Sequence, residues 1–162
     1  KNAMLSDSIA MLQKQLRDLQ RKKVQEEQLA SRVEKIKKRL AQYGVTVNTR
    51  ERSIVLRMNG IEFPPGRIHI DSHYQGVLEQ IGKALAEFPV EPIHVRLAQG
   101  AGGNLEYSEN MSVQRAKAVA LVIQNAGFIP EERISAEGIV LPDETDGGHT
   151  VVEVVIKLKK EL

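Results

Sequence analysis

The chain has 162 residues, 41% of them hydrophobic and 27% charged, enough for one compact domain plus an appendage and too apolar for a disordered or collagen-like chain. It contains no cysteine, which excludes disulfide scaffolds, cysteine zinc sites and thiol nucleophiles, and no run of 18 apolar residues that would read as a membrane-spanning helix. The net charge of +2 hides an asymmetry: residues 1–42 carry eleven Lys/Arg against five Asp/Glu, a net of +6, and residues 43–162 carry twelve against sixteen, a net of −4.

Lys1-Asn2-Ala3-Met4 reads as a cloning remnant, with the folded sequence starting at residue 5. Residues 5–42 hold no Gly or Pro. Apolar residues recur at Leu5, Ile9, Leu12, Leu16 and Leu19, and again at Leu29, Val33, Ile36, Leu40 and Tyr43, each series spaced 4, 3, 4, 3. These are coiled-coil seams. They are out of phase by three residues across Arg21-Lys22-Lys23, as in a stammer. The run 5–42 therefore predicts a helix about 57 Å long at about 1.5 Å per residue, and the coiled-coil segment is taken as 5–43. Its seam either packs on the chain's own domain, or pairs with a second copy, burying Leu12, Leu16, Val33 and Ile36 in a dimer. Gly44 is placed to end the helix.

From residue 44 to 162 strand and helix patterns alternate. Ile54–Met58 predicts a strand, with Asn59-Gly60 turning it into Ile61-Glu62-Phe63. Val77, Leu78, Ile81, Leu85 and Phe88 have helical spacing. Ile93, Val95 and Leu97 alternate with His94, Arg96 and Ala98, the pattern of a half-buried strand. A helix is expected over 109–126, ended by Gly127, then strands over 134–139 and 152–158, with an acidic loop over 142–148. The order is βαβαββ, an α+β sandwich of one sheet layer and one helix layer. Val95, Leu97, Ile81, Val119, Val122, Val154 and Ile156 are the expected core.

Chemistry-bearing patterns are sparse. The loop Gly100–Gly103 lies between a strand and a helix, but the spacing meets neither GxxxxGK[ST] nor GxGxxG, so it reads as a turn. Of the four histidines only His69 and His73 stand at i, i+4, with Asp71 between them, a weak metal pattern. No nucleophile–base pair is visible, so the chain is not read as an enzyme, and nothing calls for a cofactor or a metal. The absence of Trp and the scarcity of Phe and Tyr argue against nucleic acid as a partner. One residue is out of place: Arg115 falls on the stripe of Met111, Ala118, Val119 and Val122. A guanidinium there needs an anionic partner, from the protein or from a ligand carboxylate.

Residues 61–158 resemble the C-terminal domain of the outer membrane protein A family, the OmpA-like peptidoglycan-binding domain. Ile61-Glu62-Phe63 with Ile70 resembles its first strand and the turn after it. Tyr107-Ser108-Glu109-Asn110-Met111-Ser112-Val113-Gln114-Arg115-Ala116 resembles its YNxxLSxxRA segment. Gly127 and Arg133-Ile134-Ser135-Ala136-Glu137-Gly138 resemble the family's next stretch. The resemblance implies an OmpA-like sandwich at 44–162 that holds the diaminopimelate of the peptidoglycan stem peptide, with Arg115 taking a carboxylate. It places Tyr107, Ser112, Gln99, Gly100 and His149 around the ligand. Where the family has GH[TA]D, this chain has Leu97-Ala98-Gln99-Gly100, so the aspartate is Gly100. Where the family has NRRVE, it has His149-Thr150-Val151-Val152-Glu153, without either arginine. Losing two or three charge-assisted contacts of about 1.5–3 kcal/mol each implies weakened binding. The expected protein is thus a structural, periplasmic component of the cell envelope, outer- or inner-membrane-associated and attached to peptidoglycan, whose contact with a membrane, if any, is through an anchor outside this sequence. The alternative is an interaction scaffold, or a motor-stator-like assembly domain, that has lost peptidoglycan binding.

Overall fold

With no Gly or Pro to interrupt it, the basic N-terminal segment forms one helix, α1 (Asn2–Ala41). The structure, a computed structural model, describes residues 2–64, 66–100, 104–141 and 150–158. The chain divides into two compact units, Lys1–Lys35 and Ile36–Leu162. In the first unit the leading seam is open to solvent, with Leu12 63% and Leu16 56% exposed. The second unit takes in the last turns of α1, whereas the sequence pattern put the boundary after Tyr43. Ile36, 1% exposed, and Leu40 are already buried within that unit. Ile36 therefore belongs to the globular core and is withdrawn from the expected dimer seam.

Gly44 ends α1 as expected. Its φ of 77° is left-handed; Gly44 N–H donates to the Ala41 carbonyl at 3.1 Å, and Val45 N–H reaches back to the Leu40 carbonyl at 3.3 Å. This is the Schellman arrangement, and the buried pair Leu40 and Val45 supplies its apolar clasp.

Beyond Gly44 lie five strands: β1 (Thr46–Arg50), β2 (Ser53–Ile61), β3 (Ile93–Gly100), β4 (Ile134–Leu141) and β5 (Thr150–Lys157). They form one sheet in the order β1-β2-β5-β3-β4, with β3 and β4 parallel and every other pair antiparallel. The helices α2 (Ser72–Ala84) and α3 (Leu105–Gly127) link β2 to β3 and β3 to β4. Along β3 the odd-numbered residues are buried and His94, Arg96 and Ala98 only half so. The core consists of Ile54, Leu56, Leu78, Ile81, Val95, Leu97, Val119, Ile123, Val154 and Ile156. The expected α+β sandwich with a long N-terminal helix is the observed architecture, β1 adding an edge strand.

Two local expectations are corrected. Asn59-Gly60 does not turn the chain. β2 runs through it to Ile61, with a register irregularity between Met58 and Ile61, because β5 continues to pair as far as Ile61↔Thr150. α3 ends at Gly127 as expected, and the left-handed cap position after it is taken by Phe128, φ 51°. Gly127 also serves packing, since a Cβ there would stand 2.5 Å from the Gly82 carbonyl oxygen of α2. Finally, the buried face of α3 is Ser108, Ser112, Ala116, Val119, Ala120 and Ile123, and Val122 lies at its rim. Small residues face the sheet because β4 passes so close that a Cβ on Gly138 would meet the Ser112 and Val113 backbone at 2.4 Å.

On the sheet face opposite the helices, cross-strand register aligns Arg57, Glu153, Arg96 and Glu137 in one row of alternating charge. His94 Nε2 donates to the Glu137 carboxylate at 2.9 Å and its Nδ1 lies 2.7 Å from Ser135 Oγ. Arg96 Nε stands 3.6 Å from the same carboxylate. The His94 hydrogen bond outweighs the opposing effect of burial and holds Glu137 below its ordinary 4.5, and the charges of Arg96 and His94 add lesser pulls in the same direction. A depressed carboxylate stabilises the fold above the ordinary carboxylate range, and that contribution is lost as pH falls through the folded-state value. Glu137→Gln is accordingly expected to lower stability at neutral pH and to flatten its decline below about pH 4.5, as read by urea unfolding at stepped pH.

Candidate ligand-binding site

The one chemistry-bearing residue that α3 carries at the edge of its apolar stripe stands at the centre of a small cationic cradle. Asn104 starts the helix, its side chain accepting from Tyr107 N–H at 3.0 Å. About three turns further on, Arg115 leaves the helix at the rim of the buried face, half-exposed. Its Nε donates to the Arg67 carbonyl at 2.9 Å, and its Nη1 donates to Gln99 Oε1 at 3.2 Å. The guanidinium carbon lies 4.7 Å from the centre of the Phe63 ring, a cation–π contact. Burial pushes the guanidinium below its ordinary value, and Tyr107 opposes that shift. Arginine stays cationic through such shifts, so the cradle presents a partly desolvated positive charge.

Each partner is positioned by a different element. Gln99 is the last inward-facing residue before Gly100 on β3 and is 6% exposed; its Nε2 donates to the Ser108 carbonyl of α3 at 3.3 Å. The amide thus fixes its own orientation: the nitrogen is committed to Ser108, so the oxygen faces Arg115. Phe63 and Arg67 come from the stretch after β2. There Arg67 N–H donates to the Pro64 carbonyl at 3.0 Å and Gly66 takes φ 72°, a tight turn that delivers the Arg67 carbonyl to Arg115.

Of the residues named from the sequence, Arg115 and Gln99 touch directly. Gly100 comes after Gln99 at the end of β3, paired with Leu141. Tyr107 is exposed in the first turns of α3. Ser112 is corrected: it is fully buried, its hydroxyl donates to the Glu109 carbonyl at 2.7 Å, and its backbone packs against Gly138. It sets the helix-to-sheet distance and does not face a ligand. Arg96, which could have replaced lost charges, lies on the opposite sheet face beside Glu137. His149, residues 101–103 and the acidic loop 142–148 lie outside the described residues. Asp71, read between two histidines, uses its carboxylate to accept from His73 N–H as the cap of α2. Among the described residues no Asp or Glu forms an ion pair with Arg115. Sequence reasoning missed Phe63 and Arg67; the Pro-Pro-Gly break before Arg67 was the only signal of the turn that brings them in.

The fold that carries this cradle, a mixed five-stranded sheet with its two linking helices, has counterparts among solved structures. The OmpA-like domain of FopA1 from Francisella tularensis superposes with a TM-score of 0.53 at 15% identity, over 73% of this chain and 82% of that one. The globular unit has the OmpA-like fold. A MotB-like protein from Desulfovibrio vulgaris superposes on this chain with a TM-score of 0.66 at 18% identity, over 87% of this chain and 99% of that one. The cell wall anchor of the T6SS from Pseudomonas aeruginosa matches at 0.57 and 19%, over 74% and 92%. No family model matches the chain, and no curated protein matches it.

Proposed function

We propose that this protein is a non-enzymatic component of the bacterial cell envelope that attaches to peptidoglycan in the periplasm through its OmpA-like unit. The attachment is non-covalent, with a carboxylate of the peptidoglycan stem peptide held on the guanidinium of Arg115. The observation that carries this reading is the cradle itself: a partly desolvated arginine oriented by Arg67, Gln99 and Phe63 and paired with no described carboxylate. The OmpA-like fold and its likeness to a cell wall anchor support it. Gly100 in place of an acidic residue makes the attachment weak, between millimolar and tens of micromolar, or about 4–6 kcal/mol. Addition of a stem peptide to the isotope-labelled chain is expected to shift the Arg115 Nε–H and Gln99 side-chain amide resonances together. Unchanged signals at both, with shifts elsewhere, would contradict the reading.

The N-terminal unit serves in this proposal as a spacer that pairs with a second copy. Ile9 and Leu16 occupy a positions and Leu5, Leu12 and Leu19 d positions of a heptad, and all five are exposed. Neutral Ser6, Gln13 and Gln20 at e, with Ser8 and Gln15 at g, place no like charges beside that seam. Sedimentation is expected to give a dimer, and a monomer for the double variant Leu12→Glu/Leu16→Glu. A clean monomer of the unaltered chain at high micromolar concentration would contradict the pairing.

A further inference from the structure

We propose that the Arg115 site selects a carboxylate with no ammonium group beside it. The proposal deepens the reading of Arg115 as a carboxylate anchor and rests on it. The surroundings of the cation define the ligand class. Among the described residues its partners are a backbone carbonyl, a side-chain amide oxygen and an aromatic ring, all neutral. They orient the guanidinium without cancelling its charge. Of its five N–H donors, the bonds to Arg67 and Gln99 use one on Nε and one on Nη1. The remaining donors, on Nη1 and Nη2, form an edge suited to a bidentate carboxylate.

An ammonium group carried next to that carboxylate would meet a different environment. It would approach the guanidinium with like charge, in a site already partly desolvated, where such repulsion is least screened. It would need an acceptor of its own. Gln99 Oε1 already accepts from Arg115, and the amide cannot flip to offer another oxygen, because Nε2 is held by the Ser108 carbonyl. The next residue of β3, Gly100, brings no side chain. The cradle therefore rewards a simple carboxylate, such as the C-terminal carboxylate of a stem peptide, over the zwitterionic end of diaminopimelate.

The discriminating pair is pimelate and meso-diaminopimelate, which have the same carbon chain and the same two carboxylates and differ only in two ammonium groups. The full chain is titrated with each at fixed ionic strength, and Kd is read from the Arg115 and Gln99 side-chain resonances. Pimelate is expected to bind at least about fivefold more tightly, and Arg115→Ala to abolish its binding. Gly100→Asp is expected to move the ratio at least about fivefold toward diaminopimelate. Gln99→Glu, which places a carboxylate against the guanidinium, is expected to weaken pimelate by a similar factor and reads the same charge balance without altering Gly100. Equal or tighter binding of diaminopimelate by the unaltered chain would overturn the selectivity while leaving the carboxylate anchor standing. Binding of neither compound would overturn the anchor itself, and the selectivity with it.

Discussion

Val119→Asp is expected to leave the globular unit unfolded at room temperature. Val119 is 1% exposed, on the face of α3 that lies against the sheet. An aspartate there must bury a charge without a partner or take up a proton, and it loses the apolar contacts as well, at a cost of about 4–5 kcal/mol or more. That is comparable with the whole stability of an ordinary domain, about 5–15 kcal/mol. Leu121, two residues on and 55% exposed, supplies the control. Leu121→Asp should stay within about 1 kcal/mol of the parent chain in urea unfolding, since it changes only solvated surface. A soluble, cooperatively melting Val119→Asp variant would show that α3 does not pack as described.

Gly138→Ala is expected to damage stability and ligand binding together, although it adds a single methyl group. The new Cβ would stand 2.4 Å from the Ser112 carbonyl carbon and the Val113 nitrogen. Those are backbone atoms, so no change of rotamer relieves the overlap; β4 and α3 must move apart. Overpacking of this kind costs about 3 kcal/mol. The displaced segment lies one turn before Arg115, so the guanidinium should also lose its geometry with Gln99 and Arg67. Urea unfolding reads the first effect and pimelate titration the second. A variant with parental stability would contradict the close approach.

These two residues also show what the sequence could and could not reveal. Alternation at Ile93, Val95 and Leu97 marked β3, because a half-buried strand must alternate. The unbroken run before Gly44, with a glycine where a left-handed cap belongs, marked α1 and its end. Arg115 stood out because a guanidinium beside an apolar stripe needs a reason to be there. The inward face of α3 was misread for a physical cause. Its close approach to the sheet is at Ser112, where the backbone nearly touches Gly138 of β4, while larger apolar residues such as Val122 sit at the rim. Periodicity in hydrophobicity ranks those positions the wrong way round. Asn59-Gly60 has the composition of a hairpin turn, yet β5, about 90 residues away in sequence, keeps pairing across it. The partners of Arg115 were equally hidden. Arg67 is 48 residues away, and its contribution is a backbone carbonyl, which no residue type advertises. The charge row Arg57–Glu153–Arg96–Glu137 exists only once the register of four strands is fixed.

The central claim is that an OmpA-like unit is held to peptidoglycan by the charge on Arg115. It is tested most directly by co-sedimentation of the full chain with purified sacculi, comparing the unaltered protein with Arg115→Ala and Arg115→Lys, each first shown to melt like the parent. The unaltered chain is expected in the pellet at low salt, depleted from it as salt rises, with Arg115→Ala left in the supernatant and Arg115→Lys partly retained. Equal pelleting of the unaltered chain and Arg115→Ala, or no pelleting of the unaltered chain at any salt, would contradict the account.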